Sequence, residues 1–132
     1  MNPFSALKRI AHLFLATGCV TCASAADTNV FHVNADQAQK LITEKKVVVL
    51  DVRTPEEFAT GHIAGATNIN FRATSFEKAI AALDKNQAYL VHCAAGGRST
   101  QALPNFQKME FKSLYHLDGG IQAWKKAKLP VE

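Results

Sequence analysis

The chain has 132 residues, 15 Lys and Arg against 11 Asp and Glu, and a formal net charge of +4. That length allows one domain, or one domain behind a targeting segment. The basic residues form no clustered stripe, which argues against a nucleic-acid partner.

Lys8 and Arg9 precede an apolar segment from Ile10 to about Val20, and Ala23-Ser24-Ala25 then offers small residues in an A-x-A pattern. This order reads as a cleavable signal peptide over residues 1–25, followed by a domain over 26–132. The apolar run is too short to anchor permanently in a bilayer, so no stable membrane insertion is expected after cleavage. A rival reading is lipidation at Cys19 within Ala16-Thr17-Gly18-Cys19, although Ala16 stands where a larger aliphatic residue is usual. Losing Lys8 and Arg9 lowers the net charge from +4 to about +2, and Cys93 is then the one cysteine left. A leftover thiol in an oxidising compartment suggests reactive use.

Phe31-His32-Val33 alternates as an edge strand would, and Asn34 can cap a helix over Ala35 to about Glu44. Val47 to Val52 is continuous and β-branched, which predicts a buried parallel strand ending at Asp51 and Arg53. Thr54-Pro55-Glu56-Glu57 predicts a capped helix with a Thr54–Glu57 capping box, ended by Gly61. A third strand is expected over Ala66 to Asn70, then a helix from Thr74 or Ser75 to Leu83. After the turn Asp84-Lys85-Asn86 comes the strand that ends at Cys93. Leu103, Phe106 and Met109 recur at helical spacing around Pro104, which should kink that helix or reset its start. Ser113 to Leu117 is a last strand, and Asp118-Gly119-Gly120 turns it into a short helix carrying Ile121 and Trp124. Strands alternating with helices predict a single α/β domain with an open, mostly parallel five-stranded sheet and helices on both faces. Ligands of such sheets bind beyond the carboxyl ends of the strands, which places Asp51, Arg53, Arg72, Cys93 to Arg98 and Asp118 on one rim.

The chemistry concentrates in Cys93-Ala94-Ala95-Gly96-Gly97-Arg98-Ser99-Thr100. Gly96 and Gly97 let the backbone turn its N–H groups inward, and Ser99 and Thr100 suit a helix start whose amides add partial positive charge. Arg98 supplies a full charge. A thiol at that focus should ionise more readily than a free cysteine, which marks Cys93 as a nucleophile.

Asp51-Val52-Arg53-Thr54-Pro55-Glu56-Glu57-Phe58 with Gly61-His62-Ile63-Ala64-Gly65-Ala66, the Cys93–Ser99 loop, and Gly119-Gly120 with Ala123-Trp124 and Leu129-Pro130 resemble three signatures of single-domain rhodaneses. The leader makes the chain similar to small periplasmic members, including the phage-shock type, and implies a periplasmic location. The resemblance implies a rhodanese-like domain and a thiosulfate sulfurtransferase working by ping-pong sulfur transfer. Cys93 would take the outer sulfur of thiosulfate or another sulfane donor as a persulfide, cradled by Ala94, Ala95, Gly96, Gly97, Arg98 and Ser99. Cyanide, a small thiol or a protein cysteine would then accept it, with no metal or other cofactor. Lowering a thiol pKa by two units needs only about 2.7 kcal/mol, within reach of several amides and one arginine.

Asp51, Arg53 and Arg72 are supporting candidates. Arg53 is expected to bridge to a carboxylate such as Glu57, and Asp51 to orient the loop or serve as a strand-end turn residue. His62 should pack or hydrogen-bond locally, and His92 should alternate away from the Cys93 side chain. Some relatives carry arginine between Ile63 and Gly65 to hold the anionic donor; with Ala64 here, Arg98 and Arg72 would have to suffice.

A cysteine phosphatase or arsenate reductase would use His-Cys-x5-Arg, whereas this chain has Cys-x4-Arg from Cys93 to Arg98, a tighter cradle suited to one sulfur. A non-enzymatic persulfide carrier or redox-sensing module would share the same Cys93 chemistry.

Overall fold

Two short apolar strands, Val48–Asp51 (β2) and Tyr89–His92 (β4), lie side by side in the middle of the molecule, and all four β4 residues are buried. Burial on both sides is what continuous β-branched runs favour, and it requires a helix layer on each face. The computed structural model describes residues 29–132, so the leader and Cys19 lie outside the described residues. The other elements are β1 (Asn29–Val33), α1 (Ala35–Thr43), α2 (Pro55–Thr60), β3 (Thr67–Asn68), α3 (Phe76–Ala81), α4 (Gly97–Lys108), β5 (Ser113–Leu117) and α5 (Gly120–Lys126).

The sheet has five strands in the order β1-β5-β4-β2-β3, and every pairing is parallel. Alternation along the strands sends Leu50, Val52, Tyr89 and Val91 to one face, against Phe76 and Ile80 of α3 and Leu103 and Phe106 of α4. Val33, Val49, Leu90 and Leu117 face the other way, against Ala35 and Ala38 of α1 and Ile121 and Trp124 of α5. The predicted five-stranded sheet with helices on both faces is therefore the architecture observed.

Local signals worked where a cap is made by near neighbours. Asn34 and Gln37 form a reciprocal capping box on α1. Thr54 accepts the Glu57 N–H at 3.2 Å, but the Glu57 carboxylate turns to the Thr54 hydroxyl and to Arg98 rather than closing the expected box. The third strand is shorter than expected, and Ile69 and Phe71 continue toward β2 through single bonds to Asp51 and Val52. Ser75 makes no side-chain cap, and α3 begins one residue later. Pro104 does not reset the start of α4, which runs from Gly97 to Lys108 with the proline inside it. Pro104 and Thr100 are both exposed, so water can take the Thr100 carbonyl that the missing N–H leaves free.

Parallel strands all present their carboxyl ends at one edge. Arg53, Cys93 and Asp118 follow β2, β4 and β5 there.

Candidate active site

Cys93 follows the last residue of β4 and is 1% exposed, whereas Ala95 and Gly97 of its loop are exposed. Gly96 adopts φ 110°, a conformation that favours glycine, and this turns its N–H onto Cys93 Sγ at 3.1 Å. The Ser99 hydroxyl lies 3.3 Å from the same sulfur. Burial pushes the Cys93 thiol up, yet hydrogen bonds from the Ser99 side chain and from the Ser99, Gly96 and Ala95 amides outweigh it, and the thiol is more acidic than an ordinary cysteine. Helix α4 starts at Gly97 rather than at the expected Ser99 and Thr100, whose hydroxyls instead contact the Gly96 carbonyl at 3.2 and 2.7 Å.

A second backbone segment fixes the loop from behind. Ile121 and Gln122, in the first turn of α5, donate their N–H groups to the carbonyls of Cys93 and Ala94 at 2.9 and 3.0 Å. The approach is so close that a Cβ on Gly120 would fall 2.4 Å from the Cys93 oxygen and 2.6 Å from that of Ala94. Gly119-Gly120 reads as a turn in the sequence, but its packing purpose is to let α5 touch the cysteine loop.

The arginines are distributed differently from the sequence expectation. Arg98, expected to lend its charge to the thiol, forms a two-pronged ion pair with Glu57 at 2.7 and 2.9 Å. That pair holds the Glu57 carboxyl down at about 2, chiefly through the Arg98 hydrogen bond, and raises Arg98. Arg53 therefore does not bridge to the Glu57 side chain. It pairs with buried Asp51, through Nη2–Oδ2 at 2.6 Å and Nε to both oxygens. Its remaining donors reach the carbonyls of Glu57 at 3.3 Å and Gly61 at 2.8 Å, which braces the end of α2. Asn68 adds Nδ2 bonds to the Asp51 and Arg53 carbonyls. Arg72 is exposed, and its side chain makes no hydrogen bond among the described residues.

His62 stacks on Phe58 with ring centroids 3.8 Å apart and donates to the Phe58 carbonyl. His92 is fully buried, with Nδ1 3.0 Å from the Cys93 carbonyl and Nε2, which makes no hydrogen bond, 3.6 Å from Asp51 Oδ2. Burial lowers its pKa and keeps the ring neutral.

One group was not singled out from sequence. His116 Nε2 lies 2.7 Å from the Ser99 hydroxyl, and its Nδ1 lies 3.0 Å from Asp118 Oδ1. His32 on β1 meets the same Asp118 oxygen at 2.9 Å. The available signal was a histidine two residues before an aspartate, on one face of a strand that points at the loop.

Residues 34–127 match the model of the rhodanese-like domain family. The chain is 33% identical over 99 residues to thiosulfate sulfurtransferase GlpE of Pseudomonas aeruginosa, covering 74% of this chain and 87% of that protein. It is 35% identical over 86 residues to the probable adenylyltransferase/sulfurtransferase MoeZ of Mycobacterium tuberculosis, covering 65% of this chain and 22% of that protein. Among solved structures, a rhodanese-related protein from Thermoplasma volcanium superposes with a TM-score of 0.69 at 31% identity, covering 77% of this chain and 97% of the other.

Proposed function

The chain belongs to the rhodanese-like domain family, and from that membership we propose that it is a thiosulfate sulfurtransferase that carries sulfane sulfur as a persulfide on Cys93. The observation that carries this reading is the convergence on Cys93 Sγ of the Gly96 N–H at 3.1 Å and the Ser99 hydroxyl at 3.3 Å. An anion must be stabilised there twice, first as thiolate and then as persulfide, and fixed dipoles do this without reorganising during the reaction.

In the first half-reaction the Cys93 thiolate attacks the outer sulfur of thiosulfate. A new S–S bond forms to Sγ, the donor's S–S bond breaks, and sulfite leaves with the electron pair. In the second half a nucleophile (cyanide, a thiol or a protein cysteine) bonds to the terminal sulfur and Cys93 departs as thiolate. The amides of Ala94 to Ser99 form the cradle. Asp51 and Arg53 act from beneath as a brace, and Arg72, exposed and with no side-chain hydrogen bond among the described residues, is available to meet an incoming anionic donor.

The bidentate Arg98–Glu57 pair weighs against phosphoryl chemistry. A phosphatase loop needs its arginine for the equatorial oxygens of the transferring group, and here a carboxylate occupies that fork. The leader supports export to the periplasm as part of the same reading. Steady-state assay with thiosulfate and cyanide tests the activity: turnover that follows ping-pong kinetics and vanishes in Cys93→Ser is expected. Turnover that survives the substitution would refute it.

A further inference from the structure

We propose that His116, oriented by Asp118, accepts the proton of the Cys93 thiol through the Ser99 hydroxyl. The inference rests on Cys93 being the nucleophile proposed above and adds the route by which it is activated.

The heavy atoms form an unbroken chain. Cys93 Sγ to Ser99 Oγ is 3.3 Å, Ser99 Oγ to His116 Nε2 is 2.7 Å, and His116 Nδ1 to Asp118 Oδ1 is 3.0 Å. Proton positions follow from what each atom can do. An ionised carboxylate only accepts, so Nδ1 of His116 carries a hydrogen and Nε2 of the neutral ring is left to accept from Ser99. Ser99 Oγ then has a lone pair for the Cys93 S–H. Moving two protons along this line breaks the S–H bond, replaces the serine O–H with a new one and forms Nε2–H. The result is a thiolate that accepts from Ser99, beside an imidazolium that faces Asp118. No heavy atom needs to move, and no co-reactant is consumed.

Burial makes the short route the effective one. Ser99 is 0% exposed and His116 3%, so water does not compete for the 2.7 Å contact. The Gly96 carbonyl, 3.2 Å from Ser99 Oγ, is the weaker rival for the hydroxyl. The groups that face His116 come from four elements. Asp118 follows its own strand, Ser99 comes from α4, His92 acts from β4, and His32 comes from β1 with Nδ1 3.3 Å from His116 Nδ1. His92 is neutral, and a protonated His32 would oppose the imidazolium. Partial burial pushes the Asp118 carboxyl up, but hydrogen bonds from His32 and His116 outweigh it and keep it ionised. Ser99 touches the reacting sulfur, whereas His116 and Asp118 are positioning residues that act through it.

The test is the rate of Cys93 alkylation by iodoacetamide against pH, read by intact mass in the presence of a chelator. It compares unmodified protein with His116→Gln, Asp118→Asn and Ser99→Ala. Glutamine can hydrogen-bond but cannot take a proton. Alkylation of His116→Gln at pH 7 should fall at least about ten-fold, with its midpoint raised by about one unit, because the thiol loses its proton acceptor. Asp118→Asn should shift the midpoint the same way by less, and Ser99→Ala sets the full effect. Asp118 is exposed, so its variant decides the matter if His116→Gln does not fold. A purely structural His116 would lower the melting temperature and leave the midpoint unmoved, and that result overturns the relay. Persulfide formation from thiosulfate is measured alongside. If it occurs while all midpoints match the unmodified protein, the relay fails and the sulfur reading stands. If it is absent while the midpoints shift, the relay stands and the sulfur reading fails.

Discussion

Arg98 and Glu57, 41 residues apart in the chain, meet fork to fork at 2.7 and 2.9 Å. The pair links the first turn of α4, just past the cysteine loop, to the start of α2, and it occupies the Arg98 fork with a carboxylate while the Arg98 charge still acts on Cys93 through space. The thiol's acidity rests chiefly on the Ser99 hydroxyl and on the Ser99, Gly96 and Ala95 amides.

Glu57→Gln should therefore cost stability more than thiol reactivity. The pair is partly solvent-exposed, so its contribution is about 1 kcal/mol, a fall of a few degrees in melting temperature at neutral pH. The Glu57 carboxyl lies at about 2 against an ordinary 4.5, so its contribution is complete above about 4.5 and is lost as pH falls from there toward 2. Thermal melts from pH 2 to 7 should show this acid loss in the unmodified protein and a flatter limb in Glu57→Gln.

Gly120→Ala should disrupt the loop directly. Its Cβ would sit 2.4 Å from the Cys93 oxygen at a backbone φ of 59°. Left-handed strain and the backbone clash together predict a loss of about 3 kcal/mol or more, with sulfur transfer lost even where the variant still folds. Melting temperature and thiosulfate turnover check it, and Gly97→Ala, which meets nothing within 4 Å, is the control for stability.

Inserting a glycine between Gly96 and Gly97 converts Cys-x4-Arg to Cys-x5-Arg and moves Ser99 one residue further from Cys93, which breaks the spacing that sets its hydroxyl 3.3 Å from Sγ. An exposed loop tolerates one residue at small entropic cost, so the fold should persist. A large loss of sulfurtransferase activity is expected, with at most weak hydrolysis of an aryl phosphate. Unchanged sulfur transfer in the folded insertion would show that loop length does not select the substrate.

Expressed with residues 1–25 in a Gram-negative host, the protein should accumulate in the periplasm with Ala26 or Asp27 as its first residue. Peptide mapping of the periplasmic fraction checks this. A cytoplasmic product that keeps Met1 would contradict the reading, and a diacylated Cys19 would favour the lipoprotein form.

Where one-dimensional pattern and three-dimensional contact coincide, the sequence was enough. The β-branched run before Asp51, the apolar run before Cys93 and the Gly96-Gly97 turn each state their structure locally. Charge pairing was not readable in this way. Arg53 chooses Asp51 two residues away and Arg98 chooses Glu57 across the molecule, because parallel strand ends bring α2 and α4 together in a manner no spacing records. His116 offered only its spacing from Asp118, because its meaning depends on Ser99, which approaches from a different element.

The central claim, that Cys93 carries the sulfur, is tested most directly by intact mass after incubation with thiosulfate and removal of excess donor. The account predicts a gain of one sulfur atom, mapped to Cys93, absent from Cys93→Ser and discharged by cyanide. An unchanged mass in protein that nevertheless turns thiosulfate over, or a sulfur found elsewhere than on Cys93, would contradict it.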